Sequence, residues 1–178
     1  MRPVYLLIAA CVMGLDQVTK FAVVANLSVY SVVPVIPGLF RLVRVENRGM
    51  AFGLFSDSYS ALSFGLLIFF SLVALVIVGV LLWNNPRSAV RAGIGLSCIL
   101  GGAASNLVDR VVRGSVIDFL DVYIGSYHWP AFNAADSAIV IGSGVLLLEL
   151  FAGRLPNWAF GSSSTASSAT SSASTDTR

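Results

Sequence analysis

Nine acidic residues and a single histidine narrow the chemistry open to this chain. With His128 alone, neither an HExxH zinc site nor any paired-histidine site can be assembled. A serine protease arrangement is no better served. Gly142-Ser143-Gly144 lies in an apolar run, and His128 falls in a polar stretch where it reads as a solvent-facing loop residue. Carboxylate chemistry remains. Two carboxylates brought together in a water-poor site cannot both ionise. One then acts as base toward a water molecule, while its protonated partner donates to a peptide carbonyl and stabilises the developing oxyanion. Such a pair needs no metal, cofactor or histidine. Asp109, Asp118, Asp121 and Asp136 are the candidates, and spacing alone leaves every pairing among them open.

The immediate neighbours of these acids differ. Asp118 sits in Val116-Ile117-Asp118-Phe119-Leu120, an apolar setting expected at or near a membrane interface, whereas Asp121 reads as a solvated charge. Asn133 is placed to cap a helix, with Asp136 at the third helical position, as in a capping box with Asp in place of Glu. Asp136 therefore has a capping role and a catalytic one open to it. Asn106 and Arg110 are four apart and share a helix face, with Asp109 close by. They form either a helix-end network or a pair of groups that hold a peptide backbone. Asp16 and Lys20 are also four apart, with the acid on the N-terminal side, the favourable order for an ion pair. That pair either neutralises itself or acts beside an active site.

The elements that must position these groups are membrane spans. Of the 178 residues, 56% are hydrophobic and 11% charged, with a mean hydropathy of +0.83. Soluble domains carry roughly 25% charged residues because their surface faces water. Apolar runs at residues 4–25, 59–83, 92–108 and 134–152 each suit a helix crossing about 30 Å of hydrocarbon. The third is rich in Gly and Ala, which suits close helix packing. Ionisable groups inside such spans are costly, at roughly 2.5 to 3.5 kcal/mol each, so each requires a reason. Residues 84–90 form a short connection. Residues 26–58 form a longer one, with a half-exposed strand at 39–45 and a surface-lying segment at 50–59. Residues 109–133 form a loop on the same side. The fold class is thus an all-α membrane protein of four spans with a small β element.

Residues 1–160 form one membrane unit, and the Ser/Thr/Ala-rich segment 161–178 is expected to be disordered, having too little apolar surface to offset its ordering entropy. Cys11 and Cys98 lie in apolar runs and are expected to be buried free thiols. Ile8-Ala9-Ala10-Cys11 looks like a lipobox, but the apolar run continues past it, as a signal peptide's would not. A net charge of +2 with scattered arginines gives no nucleic-acid signature. Arg2, Arg87, Arg91 and Arg154 fall on one side of the membrane. Lys20, Arg41, Arg44, Arg48, Arg110 and Arg113 fall on the other, so the charge count alone slightly favours placing that second side inside. A small transporter would also carry intramembrane acids, but no internal repeat is present and the acids gather toward one side rather than at mid-bilayer.

Five motifs in order resemble those of the lipoprotein signal peptidases (signal peptidase II). They are Asp16-Gln17-Val18-Thr19-Lys20, Asn47-Arg48-Gly49-Met50-Ala51-Phe52-Gly53, Gly101-Gly102-Ala103 through Asn106 to Asp109-Arg110, Val116-Ile117-Asp118-Phe119, and Phe132-Asn133-Ala134-Ala135-Asp136. Met50 stands where the family often has a smaller residue. The resemblance covers the chain to about Phe151. It implies an aspartic endopeptidase of the bacterial inner membrane with Asp118 and Asp136 as catalytic dyad. Asp16, Lys20, Asn47, Asn106, Asp109, Arg110 and Asn133 would then have supporting or substrate-binding roles. It also implies both termini in the cytoplasm and the site near the outer leaflet, against the charge count, and the chain is expected to act as a monomer. The substrate would be a diacylglyceryl-modified prolipoprotein, cut before its lipidated cysteine. No cofactor, metal or nucleic acid enters.

Overall fold

The four apolar runs fold as helices long enough to cross a bilayer, at 1.5 Å per residue. The computed structural model describes residues 2–29, 31–49 and 61–156, with Ala61 described by its backbone only. The helices are α1 (Pro3–Asn26), α2 (Ala61–Trp83), α3 (Val90–Arg113) and α4 (Ala134–Phe151). A four-stranded antiparallel sheet in the order β1-β2-β3-β4 joins them at one end. Its strands are β1 (Val32–Ile36), β2 (Phe40–Asn47), β3 (Val116–Ile124) and β4 (Tyr127–His128). The surface-lying segment expected at 50–59, Met50 and the tail expected at 161–178 lie outside the described residues.

Burial runs opposite to that of a water-soluble bundle. Leu6, Leu7, Phe21, Phe69, Val76 and Phe151 point outward, whereas Asp16, Lys20, Ser97, Ser105 and Asp109 are fully enclosed. Apolar side chains lose nothing by facing lipid, so the interior is held by close packing and polar contacts instead. Cys11 follows the same rule. It is exposed and Cys98 is only half-buried, which corrects the expectation that both are enclosed. Their apolar neighbours mark a lipid-facing surface as much as a protein core.

α3 is the central helix, and its small residues make that possible. A Cβ added at Gly101 would collide with the Ala9 carbonyl of α1, and one at Gly102 would lie 2.5 Å from the Ala135 carbonyl of α4. Gly95 and Gly142 face each other across the α3–α4 contact, each within 2.8 Å of the other's carbonyl by the same measure. α3 also outruns the apolar window that announced it, continuing to Arg113. Its last two turns carry Asp109, Arg110 and Arg113, each of which finds a partner inside the protein. Gly114, at φ +74°, then ends the helix in a left-handed cap, with its N–H donating to the Arg110 carbonyl.

The region expected as a loop at 109–133 is therefore the end of α3 followed by the β3–β4 hairpin. The strand expected at 39–45 is β2, shifted to 40–47. β1 was unexpected because Pro34 and Pro37 suggest a loop. Pro34 is tolerated because β1 is an edge strand, where one N–H has no ladder partner to lose. Arg44 of β2 reaches the end of α1, donating to the carbonyls of Val24 and Leu27 at 3.2 and 2.9 Å. It thereby fixes the sheet to the helix bundle.

The α3–α4 approach can be tested at two glycines of α4. Gly142→Ala places a methyl against the Gly95 backbone and is expected to destabilise by roughly 1–3 kcal/mol, an overpacking cost. Gly144→Ala enters open space and is expected to be neutral or slightly stabilising, by up to about 1 kcal/mol. Thermal unfolding in detergent distinguishes the two, and equal melting temperatures would refute close packing at Gly142.

Candidate active site

Three elements meet where the sheet joins the bundle. β3 carries Asp118, and its Leu120 pairs with Phe132 as an isolated bridge, so the chain enters α4 directly beside the strand. Asn133 then caps α4. Its Oδ1 accepts from the Asp136 N–H at 2.9 Å, and Asp136 Oδ2 accepts from the Asn133 N–H at 3.2 Å. The capping box is thus formed as expected, and it occupies one oxygen of Asp136. The other, Oδ1, accepts from Asn106 Nδ2 at 2.8 Å.

Asp118 is held by two side-chain amides. Asn133 Nδ2 donates to its Oδ1 at 2.7 Å, and Asn47 Nδ2, from the end of β2, donates to its Oδ2 at 3.0 Å. Asn47 is held in turn, since its Oδ1 accepts from the Gly49 N–H at 2.8 Å. Asn133 contacts both acids and so ties Asp118 to Asp136.

Beneath this pair lies a charged cluster inside the bundle. Lys20 and Asp16 form the expected ion pair at 2.6 Å, and Lys20 also meets Asp109 at 2.7 Å, with all three side chains fully buried. The ammonium also donates to Asn106 Oδ1 at 2.9 Å. That contact fixes the Asn106 amide, because reversing it would turn NH₂ toward the ammonium. Asn106 Nδ2 is consequently aimed at Asp136. Asp16 uses its remaining oxygen, Oδ1, to accept the Ala135 N–H at 2.8 Å, satisfying a helix-start donor that would otherwise be buried without a partner.

The four acids open at the outset now divide. Asp109 is neutralised by Lys20 and by Arg113 at 2.7 Å. Asp121 is buried rather than solvated, 2.6 Å from Arg41 and 3.2 Å from His128. Burial alone would raise its pKa, but the hydrogen bonds and charges of Arg41 and His128 outweigh it and hold it below the usual range. Among the described residues no cation forms an ion pair with Asp118 or Asp136; their side-chain partners are neutral amides. Burial therefore pushes Asp118 up to about 6, with the Asp136 charge adding to the rise and the Asn47 and Asn133 bonds opposing it.

Arg110 donates to the Asn106 carbonyl at 3.2 Å and lies close enough to Asp136 and Asp118 to feel their charge, while its buried Nε has no partner among the described residues. Every site residue expected from the sequence thus gathers in this region, the pair in front and the ion cluster behind. His128 stands on β4 instead of in a loop, stacked on Tyr123 and bonded to Asp121.

Three contributors escaped the sequence reading. Gln17 Nε2 reaches Ser105 Oγ at 2.9 Å and Asp109 Oδ1 at 3.0 Å, Ser105 Oγ donates to Asp16 at 2.7 Å, and Arg113 completes the charge on Asp109. Ser105, Asp109 and Arg113 recur every four residues on one face of α3, a signal that was available. Gln17 had none, because its partners lie 88 and 92 residues away. No group of three His, Cys, Asp or Glu side chains able to hold a metal ion occurs among the described residues.

The family described as Signal peptidase (SPase) II matches residues 8–152. A lipoprotein signal peptidase of Solibacter usitatus is 47% identical over 143 residues, covering 80% of this chain and 87% of the relative. Another, of Desulforapulum autotrophicum, is 43% identical over 155 residues, covering 85% and 93%. A bacterial membrane enzyme solved by the in meso method at 2.3 Å resolution superposes with a TM-score of 0.74 at 25% identity, covering 92% of this chain and 94% of that one. With four spans, a small sheet and these matches, the chain belongs to the signal peptidase II family of membrane peptidases.

Proposed function

We propose that this protein is an aspartic endopeptidase that removes the signal peptide from diacylglyceryl-modified prolipoproteins, with Asp118 and Asp136 as its catalytic pair. One observation carries the reading. Of the acids in this region, these two share a bridging asparagine and have neutral amides for partners, whereas Asp16, Asp109 and Asp121 are each bound to a cation. A carboxylate locked in an ion pair is a poor base and cannot readily hold a proton, while two neighbouring carboxyl groups with no ion-pair partner favour sharing one.

The chemistry follows from that sharing. The ionised member takes a proton from water as the oxygen attacks the peptide carbonyl. The protonated member donates to the carbonyl oxygen, giving a tetrahedral intermediate. Its collapse breaks the C–N bond as a proton passes to the leaving amine of the lipidated cysteine. The amides of Asn47, Asn106 and Asn133 hold both carboxyl groups in position through this cycle. A lipid-anchored cysteine following an apolar signal helix keeps the scissile bond at the bilayer surface. The proposed site lies at that depth, at the helix ends where the sheet begins. The proposed orientation has both termini in the cytoplasm of a bacterial cell and the pair near the outer leaflet of the inner membrane, with the protein acting as a monomer.

Cleavage of a lipidated prolipoprotein by purified protein in detergent tests the assignment. Asp118→Asn and Asp136→Asn are each expected to lower the rate by roughly 100- to 10,000-fold, the usual scale of a lost acid–base group. Asp121→Asn is expected to retain most activity. Substantial activity in either dyad variant would remove that acid from the mechanism, and solute flux without cleavage would favour a transporter.

The elevated Asp118 pKa gives a second test, independent of turnover. A carboxyl whose folded pKa lies near 6, above the ordinary 3.8, holds its proton in the folded state after the unfolded chain has lost it. Its ionisation therefore works against the fold, and stability falls as pH rises from about 4 to about 6. Infrared titration should show a protonated carboxyl band lost near pH 6 that is absent in Asp118→Asn. In Asp136→Asn the band should vanish at lower pH, because the repelling charge is gone. An unmoved band would show that the two acids are not coupled.

A further inference from the structure

At the end of the bundle opposite Asp118 and Asp136, the start of α1 and the α2–α3 turn enclose a cavity of about 240 Å³ lined by Arg2, Pro3, Asn85 and Arg87. Its composition is one-sided. Two arginines border it, no acid does, and neither arginine has an ion-pair partner among the described residues. The neighbouring cleft differs, because there Arg91 meets Glu149 at 3.4 Å. Asn85 adds a second asymmetry. Its Nδ2 donates to the Ala89 carbonyl at 3.0 Å, which fixes the amide, yet its buried Oδ1 has no donor among the described residues.

We propose that this cavity binds the headgroup of an anionic phospholipid, with Arg2 and Arg87 holding the phosphodiester and Asn85 Oδ1 accepting from a headgroup hydroxyl. Guanidinium groups match phosphate oxygens in geometry and charge, and basic pockets at the ends of membrane helices are recurrent sites for anionic headgroups. The shared chemistry would also admit free phosphate. The lipid is favoured by position. The cavity opens at the helix ends, at headgroup depth, and exposed Val4, Leu6 and Leu7 continue down α1 from it as apolar surface for acyl chains. None of this depends on the proteolytic reading.

Native mass spectrometry of the full chain, delipidated in detergent and mixed with defined lipids, tests the site. Retention of one phosphatidylglycerol is expected over phosphatidylcholine of matched chains. Arg2→Gln and Arg87→Gln should each lower the bound fraction about tenfold, the scale of one lost charged hydrogen bond. Arg91→Gln, the same charge change in the adjacent cleft, should leave it unaltered. Phosphatidylmethanol, anionic but lacking the hydroxyl, should bind more weakly. Equal retention of phosphatidylcholine would overturn the proposal, as would an Arg91→Gln loss matching that of Arg87→Gln. Displacement by millimolar inorganic phosphate would reassign the cavity to a free anion, and equal binding of phosphatidylmethanol would remove Asn85 from it.

Discussion

The ammonium of Lys20 meets three oxygens, of Asp16, Asp109 and Asn106, two as ion pairs and one as a hydrogen bond, with the lysine fully buried. A buried charge of this kind is tolerated only when it is fully paired, and removing one partner typically costs about 3–5 kcal/mol because the other is left uncompensated. The consequence reaches beyond neutrality. Two of the contacts, to Asp109 and Asn106, tie α1 to α3, and the second of these also sets the direction of the Asn106 amide. Asp16 extends the same arrangement to α4 through the Ala135 N–H. Three helices are thereby registered against one another by a single polar cluster, within a bundle whose outer apolar surface offers no preference among partners.

That registration matters because the paired acids lie on different elements, Asp118 on a strand and Asp136 in the first turn of a helix. Their relative position is set by contacts that leave little slack. The Leu120–Phe132 bridge brings the start of α4 to β3, Asn133 bonds to both acids, and Asn106 relays the Lys20 constraint to Asp136. Each asparagine amide is fixed at both ends, so each delivers its N–H groups to the acids with known polarity. Such a site is preorganised before any ligand arrives, the condition under which fixed dipoles are most effective.

Much of this was legible in the sequence, and the pattern of success is physical. Spans are announced by apolar length, so all four helices were placed within a few residues at most boundaries. Contacts at a helical repeat are also local, which is why the Asp16–Lys20 pair and the Asn133–Asp136 capping box could be read directly. The end of α3 was cut short because Asp109 looks like the start of a loop when its partners on α1, Lys20 and Gln17, are unseen. Asp121 looked solvated for the same reason, since Arg41 lies 80 residues away across the β2–β3 pairing. Choosing Asp118 and Asp136 from four acids required the family resemblance, because no local feature distinguishes an acid that will meet a cation from one that will not.

The distinction between these two classes of acid also explains why the protein carries a sheet at all. A helix end alone can cap and neutralise a carboxylate, but it places acids along one axis, where the nearest groups are those of its own turns. β3 brings an acid in from the side, and Gly114 makes the required reversal directly after α3. Asp118 therefore reaches the mouth of the bundle enclosed enough for its pKa to rise to about 6, yet beyond the reach of Lys20's three contacts. Had it lain one turn inside the helices, it would have competed with Asp16 and Asp109 for the same ammonium. Charge is paired within the bundle and left without an ion-pair partner at its mouth, on Asp118 and Asp136.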